Sequence, residues 1–213
     1  MRLVIFDLDG TLLDTSAGII ACYNETAVQF GYAPREKQHF QGVIGGSLQS
    51  GFAALYGMDD QTAGKAVTQY RILYALKGIY MYSEYPGIPG LLASLREQGV
   101  HTAVATLKLE RFAEDMLRHA RLLGYFDAVF GAGLDASLTK AQLLQKAMDH
   151  CGAEPSQTVL VGDSAYDARG AREAGIGFIA VTYGWGFADA GEATMEYCDS
   201  IAANADELAA MLL

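Results

Sequence analysis

The sequence predicts an α/β fold: a parallel sheet core with an inserted all-helical subdomain. Three observations carry this. Five short apolar runs rich in branched residues read as strands buried on both faces, and helix-length stretches separate most of them. The exception is the interval from 7 to 99, where helical patterns recur without a convincing strand. A crossover between parallel strands needs far fewer residues than that.

The strands are expected at Leu3 to Phe6, Val100 to Ala105, Ala128 to Phe130, Thr158 to Val161 and Gly177 to Val181. Crossover helices are expected at Ile88 to Gln98, Glu110 to Leu123, Lys140 to Cys151 and Ala165 to Ala174. Inside the long interval, Ile19, Tyr23, Ala27 and Phe30 share one helical face, as do Val67, Tyr70, Leu73 and Tyr74. Gly31, Gly57 and Gly78 are placed to end helices there, and Pro86-Gly87-Ile88-Pro89 marks the return to the sheet. The expected division is therefore a core of 1–15 and 83–213 and a helical insertion of 16–82. Asn204 to Leu213 reads as a closing amphipathic helix with Leu208, Met211 and Leu212 on its apolar side.

At 213 residues the chain is long enough to bury a substantial core. Its 15 basic and 25 acidic residues give a net charge of −10. With no basic run to gather phosphates, nucleic acid is not an expected partner. No stretch is apolar enough for a membrane span, and the apolar start ends at Asp7, so neither membrane nor secretion is expected. Cys22, Cys151 and Cys198 are scattered, and buried free thiols in a reducing cytoplasm are the simplest reading.

Ligands of parallel sheets bind outside the carboxyl ends of the strands. Here those ends are polar: Asp7-Leu8-Asp9-Gly10-Thr11 follows the first strand, Thr106-Leu107-Lys108 the second, and Gly162-Asp163-Ser164 with Asp167 the fourth. Lys140 opens the helix after the third. Asp7 and Asp163 facing one another would repel unless a hard cation such as Mg²⁺ lay between them. A phosphate dianion between that cation and a lysine would be neutralised from both sides. Asp7 is then the candidate nucleophile and Asp9, two places on, the candidate proton shuttle. Phosphate-monoester hydrolysis is slow enough without a catalyst that metal, lysine and alignment must all contribute.

The string Asp7-Leu8-Asp9-Gly10-Thr11-Leu12-Leu13-Asp14-Thr15 resembles the first motif of the haloacid dehalogenase-like hydrolase superfamily. Thr106, Lys140 and Gly162-Asp163-Ser164 with Asp167 fall where its second, third and fourth motifs lie. With a helical insertion between the first two motifs, the whole chain is similar to the phosphoglycolate phosphatase-like branch. The resemblance implies a Rossmann-like core with a helical cap. It further implies a Mg²⁺-dependent phosphatase acting on a small phosphorylated metabolite through an aspartyl-phosphate.

Carried over residue by residue, the resemblance makes Asp7 nucleophile and metal ligand, and Asp9 acid/base and ligand through its carbonyl. Thr106, Leu107 through its amide, and Lys140 would hold phosphate; Asp163 would bind metal and Asp167 would stand behind it. Relatives often carry Asn or Ser after the second-motif Thr, whereas this chain has Leu107. Asp9 argues against halide chemistry, because the dehalogenases lack an aspartate there. A phosphomutase is the nearest alternative, followed by a nucleotidase or pyrophosphatase.

Other residues carry weaker signals. For Lys108 and Asp14, solvent-facing or capping roles read at least as readily as site roles, and His39, His101, His119 and His150 lack a metal spacing. Gly42 to Gly46 leans toward a substrate-facing loop. Arg71, Lys77, Tyr70, Tyr74, Tyr80 and Tyr82 read as an inner surface of the insertion or as its core. Tyr183-Gly184-Trp185-Gly186 reads equally as pocket edge or packing.

Overall fold

Every residue of strand β1 (Leu3–Phe6) is buried, and for that reason its sequence is continuously apolar rather than alternating. A computed structural model describes residues 2–135 and 137–213 of the chain. Among them β2 (Leu13–Asp14) follows, then α1 (Ser16–Gln29), α2 (Leu48–Tyr56), α3 (Asp60–Leu76) and β3 (Ser83–Glu84). The chain continues through α4 (Ile88–Glu97), β4 (His101–Leu109), α5 (Glu110–His119), β5 (Ala128–Ala132) and α6 (Lys140–Cys151). It ends with β6 (Thr158–Gly162), α7 (Ala165–Ala174), β7 (Gly177–Val181), α8 (Ala190–Met195), β8 (Ser200–Ala202) and α9 (Ala205–Leu212).

Six strands form a wholly parallel sheet in the order β5-β4-β1-β6-β7-β8. From β1 the chain builds outward through β4 and β5, then returns to β1's other side for β6. β1 is thus where the winding reverses, and its carboxyl end opens onto the crevice that parallel sheets use for ligands. The two faces bury different residues. Val4 and Phe6 join α4, α5 and α9, whereas Leu3 and Ile5 join α6 and α7. Burial of each such side chain contributes roughly 1.5–3 kcal/mol.

β2 and β3 pair antiparallel, Leu13 with Glu84 and Asp14 with Ser83. This two-stranded ribbon stands where the chain leaves the sheet for α1 and where it comes back before α4. Within the helical interval, Tyr23, Phe52, Tyr70 and Tyr74 pack ring against ring, in one apolar cluster with α5.

Several expectations need correction. β4 runs on through Thr106-Leu107-Lys108 to Leu109, and its register to β5 shifts between Thr106 and Leu109. A bulge accommodates polar residues in a strand, so polarity at 106–108 was no stop signal. β8, three residues long, makes a sixth strand that had too few residues to read. α5 ends at His119 because Arg121 adopts a left-handed φ of 58°. Gly31 and Gly57 do close helices with positive φ. Gly78 does not; it is small because Tyr74 and Cys22 occupy the space a Cβ would need. In α9 the buried stripe is Ala205, Leu208 and Leu212, and Met211 is exposed. Cys22 is buried, with burial raising its thiol to about 11, while Cys151 and Cys198 are only half-buried. No helix among the described residues is long and apolar enough to cross a membrane.

Candidate active site

Asp7 follows β1 directly, and its amide still bonds to the Val161 carbonyl of β6 at 2.9 Å. The sheet therefore fixes its backbone before any side-chain contact is made. Lys140 Nζ donates to Asp7 Oδ1 and to the Ala105 carbonyl, each at 2.6 Å, and lies 2.7 Å from Asp167 Oδ1. Thr139 and Gln142 form a capping box that sets where α6 begins, hence where Lys140 stands. Burial alone would pull the Lys140 ammonium down; the Asp167 and Asp7 carboxylates outweigh it and hold its affinity for the proton above normal. All three donors of this ammonium are engaged, so its service to a phosphate is its charge unless one bond is released.

Asp167 is doubly used. Its Oδ2 accepts from the Ser164 amide (3.1 Å) and hydroxyl (2.6 Å) in the capping box of α7. Its Oδ1 is left for Lys140. Asp163 comes from the preceding turn, and its Oδ2 accepts from the amides of Trp185 (2.7 Å) and Gly186 (2.9 Å). Among the described residues Asp163 Oδ1 is enclosed without a hydrogen-bond partner. Ligand oxygens of Asp7, Asp163 and Asp167 all lie within 4.8 Å of one another. Burial pushes the Asp7 carboxyl up to about 7, with Asp167 and Asp9 adding to the rise and Lys140 opposing it. Burial likewise holds Asp163 well above the usual range, with Asp167 and Asp7 adding to the effect. A divalent cation fits this arrangement: it would supply the missing partner of Asp163 Oδ1, and hard carboxylate oxygens are what Mg²⁺ takes.

Gly10 makes the arrangement possible. Its φ is 83°, and a Cβ there would collide with the Asp163 carboxylate. Asp9 has a different set of partners from Asp163. Thr15 Oγ1 donates to Asp9 Oδ1 at 2.5 Å, and Lys108 Nζ lies 2.7 and 2.9 Å from its two oxygens. The same Nζ sits 4.6 Å from the ring centroid of Tyr74, on α3. Burial works against the Lys108 charge, but Asp9 and Tyr74 more than offset it and raise its proton affinity. Thr106 is buried and accepts from the Lys108 amide at 3.2 Å.

Lys108 was the residue that sequence reasoning undervalued, since a lysine at a strand end is ordinarily solvated. The available signal was its spacing of two from Thr106. The 183–186 loop was also undervalued: beyond the two amides on Asp163, Trp185 Nε1 donates to Asp14 Oδ1 at 3.0 Å. Asp14 Oδ1 also accepts from the Ser16 amide at 3.0 Å, an end-capping role for α1. Tyr80 is exposed and Lys77 pairs with Glu25, so neither belongs to the site.

A cavity of about 410 Å³ adjoins Asp9, while Asp7, Lys140, Asp163 and Asp167 do not line it. Asp9, Lys108 and Leu107 form part of its floor, while Val43 to Ser47, Tyr70, Arg71 and Tyr74 line it from the helical interval. Pockets of this size enclose small organic ligands.

Fold and site together define a phosphoric monoester hydrolase. Residues 4–181 match the haloacid dehalogenase-like hydrolases, and the chain belongs to that family. It is 36% identical over 208 residues to the tyrosine-protein kinase PtkA of Mycobacterium tuberculosis, covering 97% of this chain and 71% of that one. It is 33% identical over 203 residues to a 5'-nucleotidase of Pseudomonas aeruginosa, covering 94% and 92%. Among solved structures, a predicted phosphatase from Clostridium acetobutylicum superposes with a TM-score of 0.93 at 33% identity, over 99% of this chain and 97% of that one.

Proposed function

We propose that the protein is a Mg²⁺-dependent phosphatase of a small phosphorylated metabolite, phosphoglycolate phosphatase-like in its chemistry, working through a phosphorylated Asp7. The observation that carries this is Asp7 held by Lys140 beside the partnerless Asp163 Oδ1. Lys140 fixes Asp7 Oδ1, leaving Oδ2 to attack phosphorus. Asp9 gives a proton to the departing alcohol oxygen, and then takes one from the water that cleaves the aspartyl-phosphate. Thr106, the Leu107 amide and the Lys140 charge hold the phosphate oxygens, and Asp167 keeps Lys140 in place. Asp7, Asp163 and the Asp9 carbonyl would hold Mg²⁺, which when bound neutralises phosphate charge.

In this reading residues 16–82 act as a cap over a core of 1–15 and 83–213, excluding water during the first half-reaction. The cytoplasm is the expected setting, in keeping with three free cysteines. A nucleotide is a second substrate reading. It is favoured by the tyrosine-lined cavity and by the Pseudomonas aeruginosa relative named a 5'-nucleotidase.

The test is release of inorganic phosphate from p-nitrophenyl phosphate and a panel of phosphorylated metabolites with Mg²⁺. Asp7→Asn should abolish turnover while leaving the melting temperature within a few degrees of the parent. Full activity in that variant would sink the reading. Isomerised sugar phosphate in place of free phosphate would mean a mutase.

A further inference from the structure

Arg71 projects from α3 into the gap between the helical interval and the sheet. Its Nη1 donates to the Leu134 carbonyl at 2.7 Å, in the loop after β5. Among the described residues its Nε is enclosed and meets no hydrogen-bond partner. Among the described residues no carboxylate comes within ion-pairing distance of it. The charge that does bear on it is Arg111, which shares the outer groove formed with Ile72, Ala75, Leu76 and Leu134.

Burial first, and Arg111 second, lower the proton affinity of the Arg71 guanidinium. Asp135, at the same end of the cavity, has its Oδ1 engaged by the Ser137 amide at 3.3 Å. Arg71 and Arg111 against the one ionised carboxylate of Asp135 still leave net positive charge at this end, in a chain of net charge −10. Arg71 also lines the cavity, so an anion bound there meets a guanidinium whose one protein hydrogen bond among the described residues is to the neutral Leu134 carbonyl.

The remaining cavity wall is mixed, with Val67, Leu107 and Phe112 beside the polar Ser47, Gln49 and Thr68. Its volume of about 410 Å³ suits a leaving group larger than two carbons. We propose that Arg71 is a specificity-determining residue that reads a second anionic group, a carboxylate or a phosphate, at the far end of the leaving group. This rests on the phosphatase reading above. The substrate class is therefore a phosphomonoester whose alcohol portion carries an acidic group at its distal end. Guanidinium is suited to this, because its planar donors match either oxyanion in a fixed geometry.

The experiment compares kcat/KM for phenyl phosphate, 4-carboxyphenyl phosphate and benzene-1,4-diyl bisphosphate in the parent, Arg71→Gln and Arg71→Lys. Intrinsic differences between leaving groups cancel when each acid-to-neutral ratio is compared across variants. In Arg71→Gln the ratio for at least one acidic ester should fall about ten- to a hundredfold, with Arg71→Lys in between. The ester that responds says whether carboxylate or phosphate is read. A ratio unchanged within about twofold for both acidic esters in Arg71→Gln would overturn the inference.

A second arm measures calorimetric affinity of the acidic esters for Asp7→Asn with and without Arg71→Gln, where the same loss is expected. An affinity unaffected by Arg71→Gln overturns the inference too. Absence of phosphate release from every ester by the parent protein would instead remove the phosphatase reading, while the calorimetric arm still decides the role of Arg71.

Discussion

Lys108 Nζ lies 2.7 and 2.9 Å from the two carboxylate oxygens of Asp9, so the proposed proton shuttle is gripped on both oxygens by one buried cation. Both side chains are almost wholly enclosed, so solvent screens the pair little. Lys108→Met would leave the Asp9 carboxylate with Thr15 as its remaining side-chain partner. We expect kcat to fall by about a hundredfold, the scale on which a misplaced acid/base group costs rate. Melting or denaturant titration should show a loss of about 3 kcal/mol, as for a buried pair that loses one member. Lys108→Arg should recover part of both. A kcat equal to that of the parent protein would show that Asp9 needs no such grip.

The buried aspartates make stability depend on pH and metal together. Asp7 is raised from its usual 3.8 to about 7 by burial, with Asp167 and Asp9 adding and Lys140 opposing, and Asp163 is raised in the same direction. A carboxyl with a raised folded-state value favours the fold while protonated. That contribution is full below the unfolded value and is lost as pH rises through the folded one. Without metal, Asp7 should therefore cost stability between about pH 4 and pH 7, and Asp163 should add a cost in the same direction. A divalent cation binds the ionised form, so the rise in melting temperature on adding Mg²⁺ should be larger at about pH 8 than at about pH 5. Scanning calorimetry against EDTA-treated protein checks this. Equal shifts at both pH values, or an undiminished shift in Asp163→Asn, would count against a cation at these carboxylates.

A Cβ at Gly184 would strike both the Asp163 carboxylate and the Gly10 carbonyl. Neither obstacle is the free end of a flexible chain, since Asp163 Oδ2 is held by two amides of the same loop. Gly184→Ala should cost about 1–3 kcal/mol through overpacking. It should also weaken Mg²⁺ binding, measured by calorimetry, by turning Asp163 out of position. Gly184→Ala with parental Mg²⁺ affinity would mean the loop serves packing alone.

The parallel sheet was legible because buried strands declare themselves as apolar runs, and α6 and α7 begin at Lys140 and Ala165 where their capping boxes place them. Asp7, Lys140, Asp163 and Asp167 were legible because each follows a strand or opens a helix at the strands' carboxyl edge. Lys108 was not, since its meaning depends on the β4 bulge and on Tyr74, which is 34 positions away in the chain. The Trp185 and Gly186 amides were equally hidden, because a backbone donor carries no mark in a sequence. Arg71 could be named as a residue of the insertion, yet the lack of an acidic partner is a property of three-dimensional surroundings.

Tyr74 ties the helical interval to the chemistry through its contact with Lys108. Its hydroxyl donates to the Met116 sulfur at 3.6 Å, a weak contact, while its ring lies 4.6 Å from Lys108 Nζ. Tyr74→Phe keeps the face and should leave kcat within about twofold of the parent, because the cation senses the ring quadrupole. Tyr74→Leu removes the face and lets water approach Lys108. A desolvated cation–π contact of about 2 kcal/mol would correspond to roughly a thirtyfold fall in kcat if it is felt fully at Asp9. Steady-state rates for the two variants, with melting temperatures alongside, separate this from simple loss of packing. Packing alone predicts a lowered melting temperature in Tyr74→Leu with kcat preserved, and that result would detach the helical interval from the proton-transfer step.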